Sequence, residues 1–308
     1  MKNIKPLLNS SPRKGLAYFT FLLSLGKAGR GFLFFILFIS CNKEEPIPAY
    51  IHIDNIQLTT ATDGSQGSSS HKIMDAWIYV DDQLVGTFEM PATFPVVTTE
   101  GTHTIKIFAG IKENGISETR IPYPFYTIFQ QDVYLKLGEK TTLSPSTTYY
   151  SGTDFTWMQD FEGSSTGLGD SINTDTAMQI ITDPNIVFEK TGCGEVFLTG
   201  NKTAYNGSTI NKFVLPTGAS AVFLELNYNC NTDFNVGIIA YASNGSLLGQ
   251  DISLSLRPTD GWNKVYVNLS TEISAYSTAK DFGIFFSMLK NPDLSTSYFY
   301  LDNVKLVN

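Results

Sequence analysis

The chain has 308 residues and a formal net charge of −8, with 42% hydrophobic against 16% charged residues; that is room for two ordinary domains, each burying its own core. The first 40 residues hold six basic residues and no acid, so 15 of the 21 bases remain beyond them against 29 acids, a net charge near −14. This balance tells against nucleic acid, whose affinity comes from basic groups neutralising phosphates, and against adhesion to anionic lipid by charge alone.

Gly31 to Ser40 reads GFLFFILFIS, an uncharged apolar run preceded by Lys27 and Arg30 and followed by Cys41. It is too short to span a bilayer and has the length of a signal-peptide core, with small Ser40 before the cut. A second apolar stretch, Leu16 to Leu25, makes the leader long. Ser40 and Cys41 resemble a lipobox, the type II signal-peptidase motif, with Phe38 where that motif usually has Leu. Asn42-Lys43-Glu44-Glu45-Pro46 resembles the Lys-acid-acid signal of Bacteroidetes lipoproteins sent to the outer face of the outer membrane. The resemblance implies a palmitate-type acyl anchor on Cys41, residues 1–40 removed and 41–49 left as a tether. Each buried methylene contributes ~0.8 kcal/mol, so two or three acyl chains anchor permanently. The alternative is a buried apolar strand that ends at an incidental Cys.

From Tyr50 the pattern is that of half-buried strands. Ile51, Ile53, Ile56 and Leu58 punctuate polar residues. Residues 60–71, TATDGSQGSSSH, are Gly and Ser rich and predict an exposed hairpin loop. Ala76–Val80 and Leu84–Phe88 flank a tight acidic turn at Asp81-Asp82-Gln83. Residues 101–107 alternate, with His103, Ile105 and Ile107 on one face. The order "VDDQLVG", Pro91, Pro95, "GTHTIKI" resembles the PEGA type of small immunoglobulin-like sandwich over about 35 residues. Arg120 to Tyr126, RIPYPFY, is held extended by two prolines; Tyr123, Phe125 and Tyr126 are expected to cover the edge of that first sandwich. Val133 to Leu137 adds a strand.

Residues 144–156, SPSTTYYSGTDFT, mark a domain division near Tyr150, which gives domains over 50–150 and 151–308. Beyond it the sequence predicts strands at 195–198, 221–228, 234–242, 247–256, 262–269, 282–288 and 298–306. Short strands broken by Gly, Asn and Asp turns make a sandwich or jelly roll. The fold class is therefore all-β, an Ig-like sandwich followed by a jelly roll. The early Asp160-Phe161-Glu162-Gly163, the late Gly261-Trp262 and the closing Tyr300-Leu301-Asp302-Asn303-Val304 resemble the jelly-roll carbohydrate-binding modules over about 150 residues. That resemblance implies glycan as partner, and a structural Ca²⁺ for which Glu162 and Asp302 hold matching places.

Sugar binding needs an aromatic platform beside amides and carboxylates, and Trp157, Tyr205, Tyr228, Tyr241 and Tyr276 are the candidates; strand alternation sets Tyr228 and Tyr241 half-buried and Trp262 as a core anchor. Cys193 and Cys230 remain once Cys41 is consumed. They either pair, closing a loop of roughly 37 residues for about 3 to 4 kcal/mol, or stay as free core thiols. Chemistry is thin: His52, His71 and His103 lack triad or metal spacing, and no GxSxG, HExxH, CxxC or GxGxxG element stands in a supporting context. No catalytic residue is assigned. The readings are a glycan-binding lipoprotein of the outer membrane, a structural or adhesion component of an envelope assembly with a protein partner, and, behind these, a hydrolase.

Overall fold

The computed structural model describes residues 45–171, 173–218 and 220–308. The leader and the lipidation at Cys41 lie outside the described residues. Pro46–Asn308 form one compact unit.

The chain enters through β1 (Ala49–Ile53), β2 (Gln57–Leu58), β3 (Asp75–Val80), β4 (Gln83–Glu89), β5 (Ala92–Val96), β6 (Gly101–Lys112), β7 (Arg120–Pro122), β8 (Phe129–Leu135), β9 (Lys140–Leu143) and β10 (Ser146–Thr147). It continues through β11 (Phe155–Gln159), β12 (Leu168–Asp170), β13 (Gln179–Ile181), β14 (Cys193–Thr199), β15 (Ala204–Thr209), β16 (Phe223–Cys230), β17 (Phe234–Tyr241), β18 (Leu247–Leu256) and β19 (Asn263–Asn268). A short helix, α1 (Ser270–Ala275), precedes β20 (Asp281–Leu289) and β21 (Thr296–Val307). The fold is all-β, as composition and periodicity predict.

Strands β4-β3-β6-β7, with β8 also on β6, form one sheet, faced by β5-β1-β9 and the small β10-β2 pair. Alternation places Ile51, Ile53, Ile78, Ile105, Ile107 and Phe94 between them. Asp81 and Asp82 both take positive φ, 48° and 64°. This is the two-residue primed turn whose twist matches the strands it joins, and Asp tolerates it better than most residues.

The second sandwich packs a front sheet, β12-β15-β20-β17-β18, on a back sheet, β13-β14-β21-β16-β19, with β11 also on β21. All its pairings are antiparallel. Phe234 and Phe299 stack at 4.4 Å in the middle, and Leu224, Leu226, Val236, Ile284 and Leu301 close around them. Burying one such side chain contributes about 1.5–3 kcal/mol.

Two expectations are revised. Residues 60–71 are not a hairpin loop: β2 pairs with β10, and β3 pairs with β4 and β6. The segment instead reaches the second sandwich, where the Ser70 hydroxyl donates to Asn227 at 3.0 Å and the Lys72 amide to the Tyr266 hydroxyl at 3.0 Å. Tyr123, Phe125 and Tyr126 do more than cover an edge. They pack edge-on against Phe223 and Tyr266 of the back sheet, in one apolar cluster with Val307. The back sheet is therefore covered on both faces, which is why β16 and β21 are near-continuous buried runs even where they carry Glu225, Asn227, Asp302 and Lys305.

Candidate functional site

The outer face of the front sheet is buried at Ile239 and Phe285 and reaches solvent along its polar positions. Along β20, Phe282, Ile284, Phe286 and Met288 enter the core, so Asp281, Gly283, Phe285, Ser287 and Leu289 face outward. Register then aligns one polar row across four strands, since Ser287 pairs with Asn206 on β15 and with Asn235 on β17, and Asn235 pairs with Ser255 on β18. Ser255 donates to the Asn235 carbonyl oxygen at 2.6 Å, and the Asn235 amide donates to Ser287 at 3.4 Å. Neighbouring rows are shallow. Gly237 lies beneath the Phe285 ring, which a Cβ there would approach to 2.6 Å. This is the close approach that requires glycine.

The row opens into a cleft of about 450 Å³ lined by Asp233, Asn235, Ser255, Pro258, Leu289 and Asn291, together with Asn231 and Thr232. The Asn231 carbonyl oxygen accepts from the Tyr298 amide at 2.8 Å and its side-chain amide donates to the Thr296 carbonyl at 3.0 Å, so this residue builds the wall. Asp233 is exposed, and Leu289 is 74% exposed beside it. The cleft thus offers amides, hydroxyls, one carboxylate and one apolar ledge.

None of the five expected ring residues lines this cleft. Tyr205 is a core residue whose hydroxyl lies over Gly207, and burial pushes its pKa up. Tyr228 is buried and accepts from the Asn263 amide at 3.0 Å. Trp157 stacks on Phe213 against the core. Tyr276 lies over Gly249 and donates to Asp251 at 2.6 Å. Only Tyr241 stands on the outer face of the front sheet, half-buried, and the Lys212 ammonium sits 3.4 Å above its ring. The cleft's own residues were missed because Asn and Ser between core apolars are also the ordinary solvent face of a strand. Trp262 is half-buried, and its indole donates to the Ile186 carbonyl at 2.7 Å.

Glu162 and Asp302 have unlike surroundings. Both Glu162 oxygens are engaged, by Thr191 through its hydroxyl and amide and by the Gly192 amide at 3.0 Å, and these bonds hold its pKa down, the Thr191 hydroxyl first. Asp302 is buried in mid-strand, one residue before a bulge at which Asn303 takes φ 48°. One of its oxygens has no hydrogen-bond partner. Burial pushes its pKa up to about 7, and Glu189 and Glu162 add to the rise. Among the described residues no three acids, histidines or cysteines gather as a metal cage. The orphaned oxygen nevertheless suits a hard cation, and Glu162 keeps a free lone pair.

Cys193 and Cys230 are both buried and free, so the pairing weighed above is not present. They sit on β14 and β16, which flank β21. Two strand spacings, about 9.6 Å, exceed the reach of a disulfide. His103 lies at the end of its sheet, with its ring 2.6 Å from Asp81 and 2.8 Å from the Thr99 carbonyl; Asp81 raises its pKa. The imidazole is a turn fastener there.

No protein-family model and no curated protein sequence matches the chain. Among solved structures, the C-terminal family 22 carbohydrate-binding module of Clostridium thermocellum Xyn10B is similar at 13% identity and TM-score 0.33, over 49% of this chain and 92% of that one. The family 11 module of a cellulosomal cellulase of Clostridium thermocellum is similar at 17% identity and TM-score 0.34, over 50% and 94%. The K2 cleaved adhesin domain of Lys-gingipain is similar at 12% identity and TM-score 0.32, over 51% and 98%.

Proposed function

We propose that the protein is a non-catalytic glycan-binding lipoprotein, tethered to the outer membrane by acyl chains on Cys41, which takes saccharide in the cleft at the end of the front sheet. The observation that carries this reading is the aligned Asn206, Ser287, Asn235 and Ser255 row running into a cleft of about 450 Å³. Planar amides and hydroxyls at fixed strand spacing match the alternating donors and acceptors of a pyranose. One carboxylate, Asp233, lines the cleft, whereas glycoside hydrolysis uses a pair; the non-catalytic part of the reading rests on that. The anchor rests on Ser40-Cys41 after the apolar run, and the Ca²⁺ at Asp302 on its orphaned oxygen.

A glycan array probed with the full chain tests the binding. Neutral oligosaccharides are expected to be retained, and Asp233→Asn to weaken them; an array on which none is retained rules the reading out. Mass spectrometry of the membrane fraction is expected to find acylated Cys41 and no leader. The alternative, a structural or adhesion part of an envelope assembly, draws on Leu247 and Ile252, exposed on edge strand β18; co-purification of a stoichiometric partner with no glycan retained favours it.

A further inference from the structure

A second cavity, of about 370 Å³, opens where the two sandwiches meet, and its charge is opposite to that of the protein. Lys72 and Lys112 come from the first sandwich, Arg257 and Lys264 from the second, and among the described residues no Asp or Glu side chain lines the cavity. In a chain with a net charge of −8, four cations around one hollow concentrate positive potential there. Two of them are partly neutralised from behind: Lys112 lies 3.6 Å from Glu89, and Lys264 lies 3.2 Å from buried Glu225. The Lys264 side chain is 2% exposed and its ammonium makes no hydrogen bond that satisfies it. Among the described residues Lys72 and Arg257 have no acidic partner within salt-bridge distance, and Arg257 is exposed at the rim. Lys72 leans on the Asn263 side-chain oxygen instead, and the Asn263 amide in turn donates to Tyr228 at 3.0 Å. Burial, with Lys112 adding, lowers the Lys72 pKa; an arriving anion relieves both costs.

We propose that this cavity binds the carboxylate of an acidic sugar, with Lys72 and Arg257 holding the charge and Asn263 and Tyr228 meeting the ring hydroxyls. A bare inorganic anion leaves most of the hollow unfilled, since it is of the size that takes small organic ligands. A neutral sugar leaves the cations uncompensated. The proposal goes beyond the front-sheet cleft and stands whether or not that cleft holds glycan, although the two hollows share Ser255 at their rims.

The test is calorimetric titration of the full chain with the dimers of galacturonic and glucuronic acid, beside the methyl esters of the same dimers and inorganic sulfate. At least one acid is expected to bind about tenfold or more tightly than its ester and than sulfate, to weaken as salt is raised, and to be lost in the double variant Lys72→Gln, Arg257→Gln at unchanged melting temperature. Equal affinity for acid and ester, sulfate binding as tightly as the acid, or no binding of any acid overturns the proposal. So does acid binding that survives the double variant, or that Asn235→Ala in the front cleft abolishes. The ester comparison needs no variant and stands if one fails to fold.

Discussion

The Tyr149 hydroxyl, contributed by the first sandwich, donates to both carboxylate oxygens of Glu225 on the back sheet of the second, at 2.8 and 3.0 Å. Tyr123 donates to the same carboxylate at 2.8 Å, and Lys264 lies 3.2 Å away. Lys305 completes the group, donating to the Ser68 carbonyl and to Tyr149; burial pulls its pKa down to about 8. One acid thus serves one lysine and two phenols directly, and a second lysine through Tyr149, inside the interface. Removing it strands Lys264, so Glu225→Leu is expected to cost about 3–5 kcal/mol. Tyr149→Phe leaves the Tyr123 bond in place and is expected to cost about 1–2 kcal/mol. Urea unfolding of each variant, and of the pair, measures both figures, and the pair is expected to fall short of the sum because the residues share a partner.

Asp302 makes stability depend on pH in the unusual direction. Its carboxyl titrates near 7 in the folded chain, pushed up by burial, against about 3.9 when unfolded. The folded state therefore holds a proton that the unfolded state releases, and stability falls as pH rises from about 4 to about 7, by a few kcal/mol at most. Below that window the penalty is absent; above it, it is complete. Asp302→Asn is expected to flatten this part of the profile. If the proposed Ca²⁺ occupies the site, added Ca²⁺ raises the melting temperature above pH 7 and a chelator reverses the gain, while equal melting temperatures under both conditions remove the ion from the account.

The two remaining cysteines are expected to be inert. Burial pushes both thiols up to about 12, so almost no thiolate exists near neutral pH. Iodoacetamide is expected to leave the native protein unlabelled at Cys193 and Cys230 and to label both in urea. A reductant is expected not to shift the melting temperature, as no bridge closes between them.

The strands of the second sandwich were legible because their apolar residues recur in short runs with Gly, Asn and Asp between. All seven ranges predicted beyond residue 190 overlap observed strands, and the acidic turn expected at residues 81–83 is the two-residue turn Asp81-Asp82, with Gln83 already in β4. Local signals lose force wherever a residue answers to a partner far along the chain. Tyr228 alternates like a half-buried strand residue, yet its ring is buried against Phe234 inside the second sandwich. Nothing local in the sequence shows that Tyr149 and Ser68 arrive over Glu225 and Lys305 and bury them. Residues 60–71 carry loop composition, which states that the chain turns and not what it lies upon. The front cleft escaped notice for a related reason: Asn235 and Ser255 acquire a common purpose only through register, which spacing along one strand does not encode.

Asn235 and the five aromatic candidates separate binding from folding. Asn235 is half-buried at the centre of the polar row, and both its hydroxyl partners, Ser287 and Ser255, also reach solvent. Asn235→Ala is therefore expected to change stability by about 0.5 kcal/mol or less, since water replaces the lost bonds. It is expected to weaken saccharide retention about tenfold, the worth of one or two directed hydrogen bonds. Tyr205→Ala is expected to do the reverse in kind. Tyr205 is 1% exposed and packs edge-on against Phe299, so its loss opens a core cavity at about 3–5 kcal/mol. Tyr241→Ala is the informative intermediate, because its ring is the one candidate on the outer face and Lys212 already covers it. If the row and not the ring holds the sugar, Tyr241→Ala retains binding within about twofold, whereas a cation–π pair of this kind contributes ~0.5–1 kcal/mol to stability. Affinity electrophoresis on soluble polysaccharide, run beside thermal melts of the three variants, reads both quantities. A Tyr241→Ala protein that melts normally but no longer binds would move the site to the opposite end of the front sheet.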